Sequence, residues 1–197
     1  MIRERLKAAT NEVHERLHGH EGFAAAAAGT ISAPDYRDLL ARLHGFHAAF
    51  DAQMTCAPVA FAQNLELPAR ARAGLLAQDL TGRGVAAETT ARLPRAELVA
   101  LHSEGEYLGA LYVVEGSTMG GIIIARALAA FGADRRFYFG HGADHGRLWR
   151  VFAARLETLD GEAAEAAERA AASVFAAFET WMTGWRGALA RTLGEAA

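Results

Sequence analysis

Apolar residues recur along this chain at helical intervals, and strict alternation nowhere persists beyond a few residues. From Ile2 to His18, Leu6, Ala9, Val13 and Leu17 mark one side of an amphipathic helix. Gly22–Gly29 holds the alanine run Ala24–Ala28, which predicts a short packed helix. Ser32-Ala-Pro34-Asp35 is a start signal, with Ser32 as cap and proline in the first turn. The helix it opens runs to about Thr55 and buries Tyr36, Leu39, Leu40, Leu43, Phe46, His47 and Phe50. Cys56 to Pro68 reads as a loop, and Ala69 to about Leu80 as a helix ended by Thr81-Gly-Arg-Gly84. Ala87 to Leu101 is mixed, with Pro94 opening a short helical turn. Glu104 to about Phe131 is a long helix, Gly132 to Gly146 irregular, and Arg147 to Leu159 helical. Gly161 to about Leu193 is one long final helix carrying Val174, Phe175, Phe178, Trp181 and Trp185. There is no internal repeat. The pattern predicts an all-α protein, a single domain over residues 1–197, with about seven to nine helices.

One helix departs from the ordinary pattern. Leu108–Leu128 is apolar at helical spacing yet contains Gly109, Gly116, Gly120 and Gly121. Each glycine inside a helix costs about 1 kcal/mol against alanine, so the cluster needs a reason. Tyr112, Gly116 and Gly120 are spaced by four and share a face. A face without Cβ atoms admits either a neighbouring helix or something large and flat. Ser117 and Thr118 can bond back to preceding carbonyls and bend the helix there. On the first helix, Lys7 and His14 are seven residues apart and project the same way, about 10.5 Å from one another. Taken alone, His14 reads as a partly buried, hydrogen-bonded histidine rather than as a ligand. His44 and His47 have metal-ligand spacing, but no second pair answers them, and they read as core or solvated residues.

Composition narrows the classes. Of 197 residues, 52% are hydrophobic and 22% charged, a globular balance. A net charge of −3 offers no basic field for nucleic acid or an acidic membrane. With Cys56 alone no internal disulfide forms. The N-terminus lacks the apolar core of a signal peptide, and no charge-free apolar run reaches about 18 residues. The expectation is a cytoplasmic protein with no membrane span.

Three blocks together carry a family resemblance. Leu6-Lys-Ala-Ala-Thr-Asn-Glu-Val-His14-Glu-Arg-Leu17 resembles the first helix of haem oxygenases. Leu111-Tyr-Val-Val-Glu-Gly-Ser-Thr-Met-Gly-Gly121 resembles the glycine-kinked distal helix of their bacterial members. Phe137-Tyr-Phe-Gly-His-Gly142, followed by Gly146-Arg-Leu-Trp-Arg-Val-Phe152, is similar to a third recurring block. The blocks occur in the family's order and span nearly the whole chain. The resemblance implies a haem-oxygenase-like multi-helix bundle with haem between an N-terminal proximal helix and the distal helix. It implies His14 as the iron ligand, and Lys7 and Tyr112 at the propionate edge. Gly116, Gly120 and Gly121 would lie at the haem's other face, with Ser117 beside the oxygen site. Three positions depart from relatives: Ser117 stands where animal members have aspartate, His18 where some have a carboxylate, and Ile122 where a polar residue is common.

The implied reaction is O2- and electron-dependent cleavage of haem at a meso carbon to biliverdin, carbon monoxide and ferrous iron. Haem serves as both substrate and cofactor. Electrons would come from a ferredoxin or an NAD(P)H-dependent reductase, because Gly82 and Gly84 follow no strand and form no dinucleotide site. A non-degrading haem carrier would need the same groove and the same His14. A thiaminase-like helical fold fits less well, since Cys56 has no obvious carboxylate partner.

Overall fold

The computed structural model describes residues 1–194, apart from the side chain of Met119. Its described residues form α-helices joined by turns and short 3-10 segments, with no strand among them. In chain order the helices are α1 (Ile2–His18), α2 (Glu21–Ala27), α3 (Ala33–Met54), α4 (Val59–Asn64), α5 (Leu67–Arg70) and α6 (Ala73–Gly82). They continue with α7 (Ala87–Ala91), α8 (Glu104–Ala127), α9 (Arg136–Phe139), α10 (His145–Leu156), α11 (Gly161–Met182) and α12 (Ala188–Leu193).

The long helices start where local chemistry says they should. Ser32 Oγ accepts from Asp35 N at 3.1 Å and opens α3. Ser103 and Glu106 make a reciprocal capping box at α8: Ser103 Oγ accepts from Glu106 N, and the Glu106 carboxylate accepts from Ser103 N at 2.9 Å. The core has two parts. One packs α1, α8, α10 and α11 around Leu6, Leu108, Leu111, Phe152 and Val174. The other packs α3, α6, α9 and α12 around Tyr36, Leu39, Leu76, Leu80 and Met182. Among the described helices, α8 alone is long and apolar enough to cross a membrane. It is the central helix of the bundle, and burial against α11 accounts for that composition.

The short elements differ from the sequence reading, and in most cases a cap from another helix is the reason. Cys56–Pro68 is not a plain loop, because Pro58 caps α4 and Pro68 sits in the first turn of α5. Helix α6 begins at Ala73 rather than Ala69, where Asp51 of α3 accepts from Arg72 N and Ala73 N at 2.9 and 2.8 Å. Within the irregular stretch, α9 starts where Asp79 of α6 accepts from Arg136 N and Phe137 N, both at 3.0 Å. The final helix is broken after Met182. Gly187 adopts φ +69°, and Asp38 of α3 accepts from Gly187 N and Leu189 N to open α12. Pro94 opens no helix; residues 94–102 run past α3, where Ala96 N donates to Gly45 O at 3.2 Å.

Candidate functional site

Helices α1 and α8 both lie along α11, and both run parallel to it. Arg5 pairs with Glu168 and Arg16 with Glu179, so α1 and α11 advance together residue for residue. Gly105 abuts the Ala163 carbonyl and Gly109 that of Ala167, so α8 does the same. Carried along these two registers, Lys7 comes level with Tyr112, and His14 with the turn from Gly116 to Gly120.

One stripe of α8 is Gly105, Gly109, Tyr112, Gly116 and Gly120, stepped by four, three, four and four. Its two ends differ. A Cβ at Gly105 or Gly109 would collide with the α11 backbone, so these glycines serve close helix packing. A Cβ at Gly116 or Gly120 would meet nothing within 4 Å. No atom of the described residues explains their being glycine. Gly121 belongs to neither class: its Cβ would stand 2.9 Å from the Tyr138 carbonyl, so it sets how closely α9 approaches α8.

His14 is exposed on α1, its ring meeting the edge of Phe175 at 6.3 Å between centroids. Its Nδ1 lies 3.7 Å from the Glu15 carboxylate, and its Nε2 lies 3.4 Å from Nε2 of His18. Lys7 is exposed and makes no ion pair among the described residues. Tyr112 is half-buried; burial pushes its phenol up, while Arg3 of α1 pulls it back. Ser117 donates to Val114 O at 2.7 Å, leaving its lone pairs outward. Thr118, by contrast, makes no bond back along the helix and accepts from Arg72.

Away from the glycine stripe, α8 carries residues that sequence reasoning missed. Glu115 is wholly buried, with Arg70 Nη1 at 3.0 Å and His141 Nε2 at 3.1 Å from its two oxygens. Burial alone pushes the Glu115 carboxyl up, but the His141 hydrogen bond and the charges of Arg70 and Arg72 outweigh it. The carboxyl is thereby held below its ordinary range. Arg70 also donates to Leu65 O and Leu148 O, at 2.6 and 2.9 Å. Removing one partner from such a buried set costs about 3–5 kcal/mol, because the other charge is left without compensation. The readable signal was a lone carboxylate inside an apolar helix. His44 and His47 make no metal site: His47 is buried beside Phe46 and Phe137, and no cluster of three ligands occurs among the described residues.

The residues fit a flat macrocycle carrying a metal. There is an exposed imidazole on one wall, a strip of bare backbone level with it on the other, and a cation and a phenol farther along. Comparison with known proteins agrees in fold. The chain is similar to the NO- and CO-bound heme oxygenase of Neisseria meningitidis, at 24% identity and TM-score 0.72, covering 100% of this chain and 94% of that one. It is also similar to heme oxygenase-1 of the cyanobacterium Synechocystis sp. PCC6803 in complex with heme, at 15% identity and TM-score 0.70, covering 98% and 96%. No curated protein matches it in sequence. The family model described as Heme oxygenase matches residues 1–184, so the glycine-bearing α8 and the histidine-bearing α1 are those of a chain that belongs to the heme oxygenase family.

Proposed function

We propose that this chain binds haem between α1 and α8 and cleaves it at a meso carbon to biliverdin, carbon monoxide and ferrous iron. O2 and electrons from a separate ferredoxin or NAD(P)H-dependent reductase drive the reaction. The observation that carries this reading is the open backbone at Gly116 and Gly120, level with an exposed His14. Haem, when bound, supplies the iron at which O2 is activated and is itself the ring that is opened.

The chain's own residues have separable tasks. His14 offers a neutral imidazole nitrogen to the iron, with Glu15 beside its other nitrogen to orient the ring. Lys7 supplies charge and Tyr112 a hydrogen bond at the carboxylate edge. Gly116 and Gly120, which carry no side chain, would let bound haem approach the main chain of α8. Ser117 Oγ, its proton committed to Val114, is an acceptor there. Gly121 acts one layer back, through its contact with α9.

Hemin added to the purified protein, followed by a reductant in air, tests the proposal through the visible spectrum. Conversion to a bilin absorption is the expected result. A haem spectrum that persists under reductant and O2 would make the protein a carrier.

A further inference from the structure

His18 occupies the position where some relatives carry a carboxylate, yet it does not approach the nitrogen of His14 that such a carboxylate would orient. It approaches the other one: the two Nε2 atoms are 3.4 Å apart. Zinc–imidazole bonds are about 2.0–2.1 Å, and two of them at a tetrahedral angle hold their nitrogens about 3.3–3.4 Å apart. The ring centroids lie 4.5 Å apart with planes at 53°, closer than rings set end to end at that nitrogen distance. The two Nε2 atoms thus already stand at the spacing of two ligands of one ion, and a rotation of the exposed rings about their side-chain bonds would aim both lone pairs at it. Both residues are exposed, one helical turn apart on a 17-residue helix, so a cation reaches them from solvent and no backbone change is needed. Glu15, 3.7 Å from His14 Nδ1, supplies the outer carboxylate that ligating histidines commonly use.

We propose that His14 and His18 form a two-imidazole site for a first-row divalent cation, open in the haem-free protein and closed when haem takes His14. Among the described residues no third His, Cys, Asp or Glu completes the set, so water fills the remaining positions. Zn2+, Co2+ and Ni2+ are expected to bind, and ferrous iron leaving an opened ring would meet the same pair. The competition with haem rests on the function proposed above; the cation site itself does not.

The test uses haem-free full-length protein titrated with Zn2+ by calorimetry, and with Co2+ by its visible d–d absorption. One equivalent is expected to bind the wild type, and His18→Ala or His14→Ala is expected to weaken binding at least about tenfold, the loss of one of two ligands. Haem bound beforehand should abolish the cobalt spectrum, and His18→Ala should still bind haem. No binding by the wild type, or binding by either variant as tight as the wild type's, overturns the site. Cation binding that is lost in both variants but indifferent to haem would uphold the site and overturn His14 as the haem ligand.

Discussion

At the scale of single residues, the glycines of α8 make opposite predictions. Gly109→Ala drives a Cβ into the Ala167 carbonyl and should cost about 1–3 kcal/mol, seen as a lower melting temperature. Gly116→Ala meets nothing and should stabilise the fold by about 0.5–1 kcal/mol, through helix propensity alone. Gly120→Leu should stop haem turnover while leaving the melting temperature at or above wild type. An active Gly120→Leu enzyme with unchanged product would remove the glycines from the site. His14→Ala should keep much of the haem affinity, since apolar burial and edge contacts remain, but lose the axial-histidine absorption and resonance signature. If its spectrum and turnover equal wild type, His18 or His20 is the ligand to test.

At the scale of elements, α1 and α8, the two walls of the proposed haem site, are set by a shared neighbour. Lys7 and Tyr112 stand on different helices yet come level through α11. An exposed charge contributes about 0–1 kcal/mol, so losing it should weaken haem binding modestly. In-plane orientations of haem that differ by about 1.4 kcal/mol differ tenfold in population. Lys7→Ala with Tyr112→Phe should therefore change the mixture of biliverdin isomers more than it changes haem affinity. Product chromatography beside a haem titration decides between steering and mere holding. The same scale explains what the sequence could and could not reveal. Helices α1, α3 and α8 were legible because their signals are local: the apolar periodicity of α1 and α8, and at α3 the cap Ser32, next to what it caps. The starts of α6, α9 and α12 were not, because Asp51, Asp79 and Asp38 reach them from other helices. The stripe of α8 was legible as glycine, but which glycines face a helix and which face open space depends on where α11 passes.

At the scale of the whole molecule, buried histidines set the acid limit. Burial, then Arg72 and His44, hold the His47 imidazole well below its ordinary 6.5, and burial with Arg95 lowers His44 as well. Below pH 6.5 the unfolded chain takes up protons that the folded protein refuses, so stability present above 6.5 is lost as pH falls. The slope is about 1.4 kcal/mol per pH unit for each such histidine until its folded pKa is reached. Urea melts at pH 7 and pH 5.5 should show His47→Met losing about 1 kcal/mol less than wild type over that interval. Equal losses would place the acid sensitivity elsewhere. The buried charges behind α8 have a different consequence. Glu115 and Thr118 are held from the side of the helix away from Gly116 and Gly120, by Arg70, His141 and Arg72. Orientation of the helix is thus secured by residues away from Gly116 and Gly120, where an added Cβ would meet nothing within 4 Å. Substitutions at Gly116 or Gly120 that fill the proposed haem space without breaking the helix should yield soluble protein that melts at or above wild type. A screen that scores expression would pass every one of them, and an assay of haem turnover is what separates them from wild type.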